Sequence, residues 1–266
     1  MSAGRYLRFT RNTVQTLLAY RANVLFYIFG NIVQTLVLWY LWRAIFAGAG
    51  GGRINGFTLG EMAAYLLAAV ATQSAISGSA DGIVADEIMD GNIAVNLARP
   101  LDYRTRVFFG HFGECLYNAV VVSLPALVIA LAAGASVGST GARLAAFAVS
   151  LALSFTLHFF YKFMLGLTAI LTTNVWGVFN VEAVVSGFLS GALVPLAFFP
   201  DWARGAMALL PFASMVSVPA LAFAGKLSGA ELARALAVQG FWVIALALFS
   251  SWAWNSLVKR VSVNGG

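Results

Sequence analysis

Six stretches of this chain run apolar with at most one charged residue each: 22–42, 59–79, 107–133, 144–171, 176–199 and 232–257. At about 1.5 Å of rise per residue, a helix over any of them crosses roughly 30 Å of hydrocarbon. The runs are continuous, unlike the alternating strands of a transmembrane barrel, so six transmembrane helices are predicted. The fold class that follows is all-α and integral to a membrane, with residues 1–266 forming one transmembrane domain.

Polar positions follow a helical period at the start of the chain. Arg5, Arg8, Asn12 and Gln15 fall on one face of residues 4–21, and Leu7, Val14, Leu17 and Leu18 on another. That pattern predicts a cationic amphipathic helix lying on the membrane surface; the alternative is a short polar leader running straight into the first span. The segment lacks the compact apolar core and small-residue cleavage site of a secretory signal, so it is expected to stay on the protein.

Two other segments interrupt the apolar pattern. Residues 81–106 carry the densest charge, which lipid does not tolerate, and they are predicted to lie outside the spans. Within them Asp86 and Asp90 stand one helical turn apart with Glu87 beside them, while Ile83, Val84 and Ile88 form an apolar face that Gly91 and Pro100 terminate. Such a short amphipathic helix suits a socket on a partner subunit; the plainer reading is a solvated loop that keeps two spans apart.

The second interruption is made by proline. Four of the six prolines, Pro195, Pro200, Pro211 and Pro219, sit in 25 residues of highly apolar sequence. Each removes a backbone donor, and non-helical backbone at membrane depth persists only where protein or water covers it. The segment is too apolar for a free loop and too broken for a plain span. It predicts a fifth span ending near Pro195 to Pro200 and short re-entrant helices over 200–230, with Asp201 capping the first and Trp202 anchoring it at the interface.

Composition agrees with the pattern. The chain is 61% hydrophobic and 10% charged, with a mean hydropathy of +0.85, values outside the range of soluble domains. Its net charge of +6 comes from arginines and lysines that flank apolar segments, which points to membrane lipids and not to nucleic acid. Six spans place both termini on one side, and that side holds ten of the sixteen basic residues, in 1–21, 81–106, 259–260 and at Lys162. The bias predicts cytoplasmic termini.

Candidate chemistry is sparse. Cys115 is the single cysteine, and His111 and His158 have no metal-site spacing, so neither a disulfide nor a metal is expected. There is no phosphate-binding glycine loop, and "GFLSG" at 187–191 is not a nucleophile elbow. No catalytic residue follows from the sequence, and the chain is expected not to be an enzyme. Among polar residues inside spans, Asn31 and Gln34 stand one turn apart and, with Gln73, either line a path or bond neighbouring helices. Glu114 reads as an interfacial acid with His111 one turn away. Lys162 and Glu182 lie equally far from a turn near residue 172, so a hairpin sets them at one height as a structural ion pair.

The pattern SGxLVPLxFFPxW at 190–202, the LPF, proline and glycine that follow it, the N-terminal arginine-rich helix, and "IMDGNIAVNLARPLD" at 88–102 together resemble permease subunits of the ABC-2 superfamily of ABC exporters. The resemblance covers essentially the whole chain and is greatest to a small bacterial branch of about 260 residues, often encoded as paired permeases with a separate ATPase. It implies a subunit in the bacterial inner membrane that moves a hydrophobic or amphipathic compound outward. Two ATPase subunits would bind ATP and Mg, leaving this chain without a cofactor, and a second permease, identical or homologous, would complete the assembly. Asp86, Glu87, Ile88, Asp90 and Leu97 would then belong to the region that meets the ATPase. Pro195, Pro200, Pro211, Phe212 and Pro219 would form the outer gate, and Asn31, Gln34, Gln73 and Phe179 would border the substrate path. The competing class is a non-conducting membrane scaffold or assembly partner.

Overall fold

The computed structural model describes residues 4–19, 21–50, 52–123, 141–172 and 174–264. Among them the regular structure is helical, with one isolated bridge between Ile54 and Phe57. The helices are α1 (Gly4–Ala19), α2 (Arg21–Gly48), α3 (Leu59–Ile76), α4 (Ala80–Met89), α5 (Asn92–Leu97) and α6 (Tyr103–Asn118), which continues as a π turn over Ala119–Ser123. They are followed by α7 (Gly141–Gly166), α8 (Val175–Leu189), α9 (Asp201–Leu209), α10 (Pro211–Phe223) and α11 (Gly229–Asn264).

Local chemistry sets several boundaries. Thr58 and Glu61 form a reciprocal capping box at the start of α3, satisfying amides that the first turn leaves without partners. Asp102 accepts from the Thr105 amide at 2.7 Å to start α6. Pro211 occupies the first position of α10, where its missing N–H costs nothing.

Among the described residues four segments are long and apolar enough to cross a membrane: Val24–Gly48, Leu59–Met89, Gly141–Ile170 and Gly229–Val258. The count rises to five if α9 and α10, bent by 103°, make one broken span. The fifth apolar run, expected over 176–199, differs: α8 ends at Leu189, and the chain turns through Gly191 into a short 3-10 turn at Leu196–Phe198. A fifteen-residue helix rises about 22 Å, short of the hydrocarbon thickness. The second half of the expected third span, 124–133, lies outside the described residues.

The centre of the molecule is α7, against which α3, α4, α10 and α11 all pack. The proline-containing α10 is among the most deeply buried elements, with Ser214, Met215, Val216, Ser217, Ala220 and Ala222 almost inaccessible. Its cover is polar as well as apolar. Gln239 of α11, fully buried, donates to Ser214 O at 2.7 Å and to Ser154 Oγ at 3.0 Å, and accepts from Ser150 Oγ at 2.9 Å. Tyr65 of α3 donates to Gly191 O at 2.9 Å and lies 3.0 Å from Ser217 Oγ.

The first part of 81–106, expected to lie outside the spans, instead joins a span candidate as far as Met89. Here α4 follows α3 after a break at 77–79, the two reading as one interrupted span over Leu59–Met89. Ala80, Asp81, Val84 and Ala85 are buried, and α4 packs on α7. The approach is close because residue 166 is glycine: a Cβ there would fall 2.7 Å from Asp81 O and 2.8 Å from Val84 Cβ. Charge density argues against lipid around this segment, but it does not exclude burial against protein, which is what α7 provides.

The first helix docks on α6. Tyr6 stacks on Phe109 with ring centroids 5.7 Å apart, and Thr10 donates to Phe109 O at 2.8 Å. The docking face is therefore centred on Tyr6 and Thr10, along the edge of the apolar face that the period predicts. Arg5, Arg8 and Arg11 remain exposed, as do Leu7 and Leu18.

Candidate functional site

The break between α3 and α4 opens into a cavity of about 550 Å³. Its lining comes from six helices and the break itself: Leu17 of α1, Gln73 of α3, Asp81 of α4, Glu114, Tyr117 and Asn118 of α6, His158 and Lys162 of α7, and Glu182 and Ser186 of α8, with Ser77, Gly78 and Ser79 in the break. Few of these are apolar, an unusual composition for a depression among membrane-type helices.

Lys162 is its electrostatic centre. Its Nζ donates to Glu182 Oε2 at 2.7 Å and to Asp81 Oδ2 at 3.0 Å. The side chains of both acids are more than nine-tenths buried, at 8% and 9% exposure. Equal spacing from the turn brings Lys162 and Glu182 together but misses Asp81, since pairing α4 with α7 requires a fold that sequence separation does not reveal. One ammonium thus serves two carboxylates and ties the α4 side of the break to α8.

A third acid completes the arrangement. Glu114 accepts from both the amide and the hydroxyl of Ser79, the residue immediately before α4, where a carboxylate is favoured by the helix dipole. Asn118 donates to Ser77 O across the same break. The two turns that interrupt α3–α4 are therefore held by α6, which is how unpaired backbone survives there.

The histidines lie beside the acids. His111 and His158 stack with centroids 5.8 Å apart. His111 is fully buried against Gly78, at which any side chain would collide with its imidazole ring. His158 is 7% exposed and lines the cavity, and its Nδ1 has no hydrogen-bond partner among the described residues. From sequence neither is assigned to a site of its own; neighbouring polar elements that are distant along the chain are what make them part of one.

A second, smaller crevice of about 70 Å³ brings together Asn31, Gln34 and Thr35 of α2 with Gln73 and Ser74 of α3 and with Ala192 and Leu193. Gln73 lines both spaces. Phe179, half-buried on α8, is not among the lining residues of either.

The five residues of the expected ATPase-facing region separate into two groups. Asp86 and Asp90 are exposed on α4 and at its end. Glu87 forms an ion pair with Arg106 of α6. Ile88 and Leu97 pack against a core of Val84, Ile93, Tyr103, Val107, Phe159 and Phe163, so their apolar surface is used inside the chain and is not held out as a plug. The exposed apolar residues nearby are Met89 and Val95, each more than half exposed.

The proline residues have distinct places. Pro195 precedes the 3-10 turn, Pro200 precedes α9, Pro211 opens α10, and Pro219 lies inside α10, buried. Phe212 packs edge-on to Tyr161 at 5.4 Å. Among the described residues no group of three or more His, Cys, Asp or Glu has the arrangement of a metal site.

Compared with known families, residues 29–265 match the family model described as ABC-2 family transporter protein. No curated protein matches the chain.

Proposed function

The chain belongs to the ABC-2 transporter family, a multi-pass membrane permease of the ABC class, and from that premise we propose that it moves a hydrophobic or amphipathic compound out of the cell, driven by separate ATPase subunits. Two ATPases would bind ATP and Mg, and a second permease, identical or homologous, would face this one. Both termini would be cytoplasmic in a bacterial inner membrane, with α9 and α10 re-entering from the outside to close a six-span bundle.

The observation that carries this reading is the linkage at the α3–α4 break. Exposed Asp86 and Asp90 present an acidic surface on α4, and Asp81 of the same helix is joined through Lys162 to α8. A push on α4 from a closing ATPase dimer would therefore reach the cavity and α8 directly, which is the requirement for alternating access. The exposed apolar faces of α2 (Leu25, Phe26, Phe29, Val37) and α8 (Trp176, Val181, Val184) support lipid or a second permease alongside them.

Copurification from the native host tests the reading. An ATPase bound in fixed stoichiometry, whose turnover changes by severalfold on Asp86→Lys or Asp90→Lys, is the expected result. No ATPase, or turnover indifferent to both substitutions, would favour the scaffold instead.

A further inference from the structure

The cavity at the α3–α4 break has the chemistry of a ligand site, and its composition restricts the ligand. It carries three carboxylates, Asp81, Glu114 and Glu182, against one ammonium, Lys162. Glu114 is engaged by the start of α4. Lys162 reaches one oxygen of each of the other two. One positive charge facing two negative ones leaves the central cluster acidic in a place of low dielectric, where a second cation is strongly favoured.

An independent observation points the same way. His158 is more than nine-tenths buried, lines the cavity, and has an Nδ1 without a partner among the described residues. A buried polar nitrogen left unpaired is costly, and a neutral imidazole can offer it as an acceptor to an N–H donor. A protonated amine meets both conditions, because it brings positive charge for the carboxylates and N–H for the imidazole. A quaternary ammonium brings charge alone.

Size and position supply the rest of the class. A volume of about 550 Å³ falls within the 300–1,000 Å³ typical of sites for drug-sized molecules. Leu17 of α1 forms part of the rim, and α1 is the amphipathic helix whose arginines and leucines suit a membrane interface. The cavity thus lies where an amphiphile partitioned into the interface would arrive. Ala183 and Gly187 of α8 add an apolar wall without filling the space.

We propose that this cavity binds a lipophilic protonated amine, its ammonium between Asp81 and Glu182 beside Lys162 and an N–H directed at His158. The proposal names the cargo class for the transport reading above and rests on it, but its binding step requires neither nucleotide nor ATPase.

The experiment uses the full chain in phosphatidylcholine nanodiscs, whose zwitterionic headgroups do not concentrate cations, and quinacrine as a fluorescent amine probe read by polarisation. Saturable binding to the wild type is expected. Glu182→Gln and Asp81→Asn each leave Lys162 one carboxylate partner and should weaken binding about tenfold or more, in keeping with loss of one charged hydrogen bond. His158→Phe keeps the ring and removes the acceptor, and should weaken binding severalfold. Gel filtration and thermal melting check that each variant is folded. Should one fail to fold, the wild type alone still decides the matter: neutral acridine and anionic anilinonaphthalene sulfonate should not displace quinacrine, whereas a second protonated amine such as dibucaine should. Absence of saturable binding, affinities unchanged in all three variants, or displacement by acridine overturns the proposal. Any of these results leaves the ATPase copurification test untouched, so the two readings fail separately.

Discussion

Two buried polar clusters lie on opposite halves of α7, and they are built on different principles. Around Ser150 and Ser154, every group of the Gln239 amide is engaged by a serine hydroxyl or a backbone carbonyl, with no charged group among these partners. Around Lys162 the groups are ionisable, one amine is shared between two acids, imidazole nitrogens lack partners among the described residues, and there is a cavity. The neutral cluster fixes α7, α10 and α11 in one arrangement. The charged cluster holds α4, α7 and α8 together by contacts that an incoming charge can rearrange. On the proposed transport reading, in which one end stays closed while the other responds to an ATPase, saturated neutral hydrogen bonds would suit the first task and an unbalanced ionic site the second.

The comparison can be broken first at Lys162. Replacing it by methionine leaves Asp81 and Glu182 buried without a counter-charge, and uncompensated buried charge costs about 3–5 kcal/mol. Thermal melting in detergent should show a larger loss than any single substitution in the neutral cluster produces. Reversal by Glu182→Lys should be similarly damaging, and adding Lys162→Glu should restore stability only in part, because a carboxylate at position 162 would then face Asp81. Complete rescue would mean that the Asp81 contact contributes nothing.

A smaller loss is expected in the neutral cluster. Gln239→Ala strands the Ser150 hydroxyl and takes one of two donors from Ser214 O, which keeps Ser154 Oγ at 3.1 Å, a cost of about 1–3 kcal/mol in melting experiments, with quinacrine affinity unchanged. Tyr65→Phe removes the donor to Gly191 O and the acceptor beside Ser217 Oγ, and should cost about 1 kcal/mol. Tryptic cleavage after Arg204 reads whether the 190–210 segment has loosened. At the far end of the scale, Asp86→Lys should change stability by less than about 0.5 kcal/mol, since the residue is exposed. Its effect should appear in the turnover of a bound ATPase instead.

Apolar run lengths make the helical class and most spans legible from the residues alone, and the capping signals at Thr58 and Asp102 mark where helices begin. The proline window predicts that 190–225 is neither a plain span nor a free loop, and the structure breaks it into α9 and α10, bent by 103°. The window does not show how deeply α10 is buried, because that depends on Gln239, which stands on another helix 25 residues beyond Ser214. Equal spacing from a turn is enough to pair Lys162 with Glu182. Asp81 is missed since a charge-rich segment is read as leaving the membrane, and only the glycine at 166 lets α4 close on α7. His111 and Glu114 draw little attention in sequence because their significance comes from Gly78 and Ser79, small residues at a helix break that bring α6 against it.

The most direct test concerns α4 as the face through which force from an ATPase enters. Cys115 is buried and is the chain's single cysteine, so a thiol placed at position 90 or 202 can be addressed alone. With the ATPase coexpressed in native membranes, Asp90→Cys should cross-link to it through a short bifunctional maleimide, with a yield that changes between ATP and ADP. Trp202→Cys, at the proline end, should not. Cross-linking absent at 90, or equal at both positions, would contradict the account.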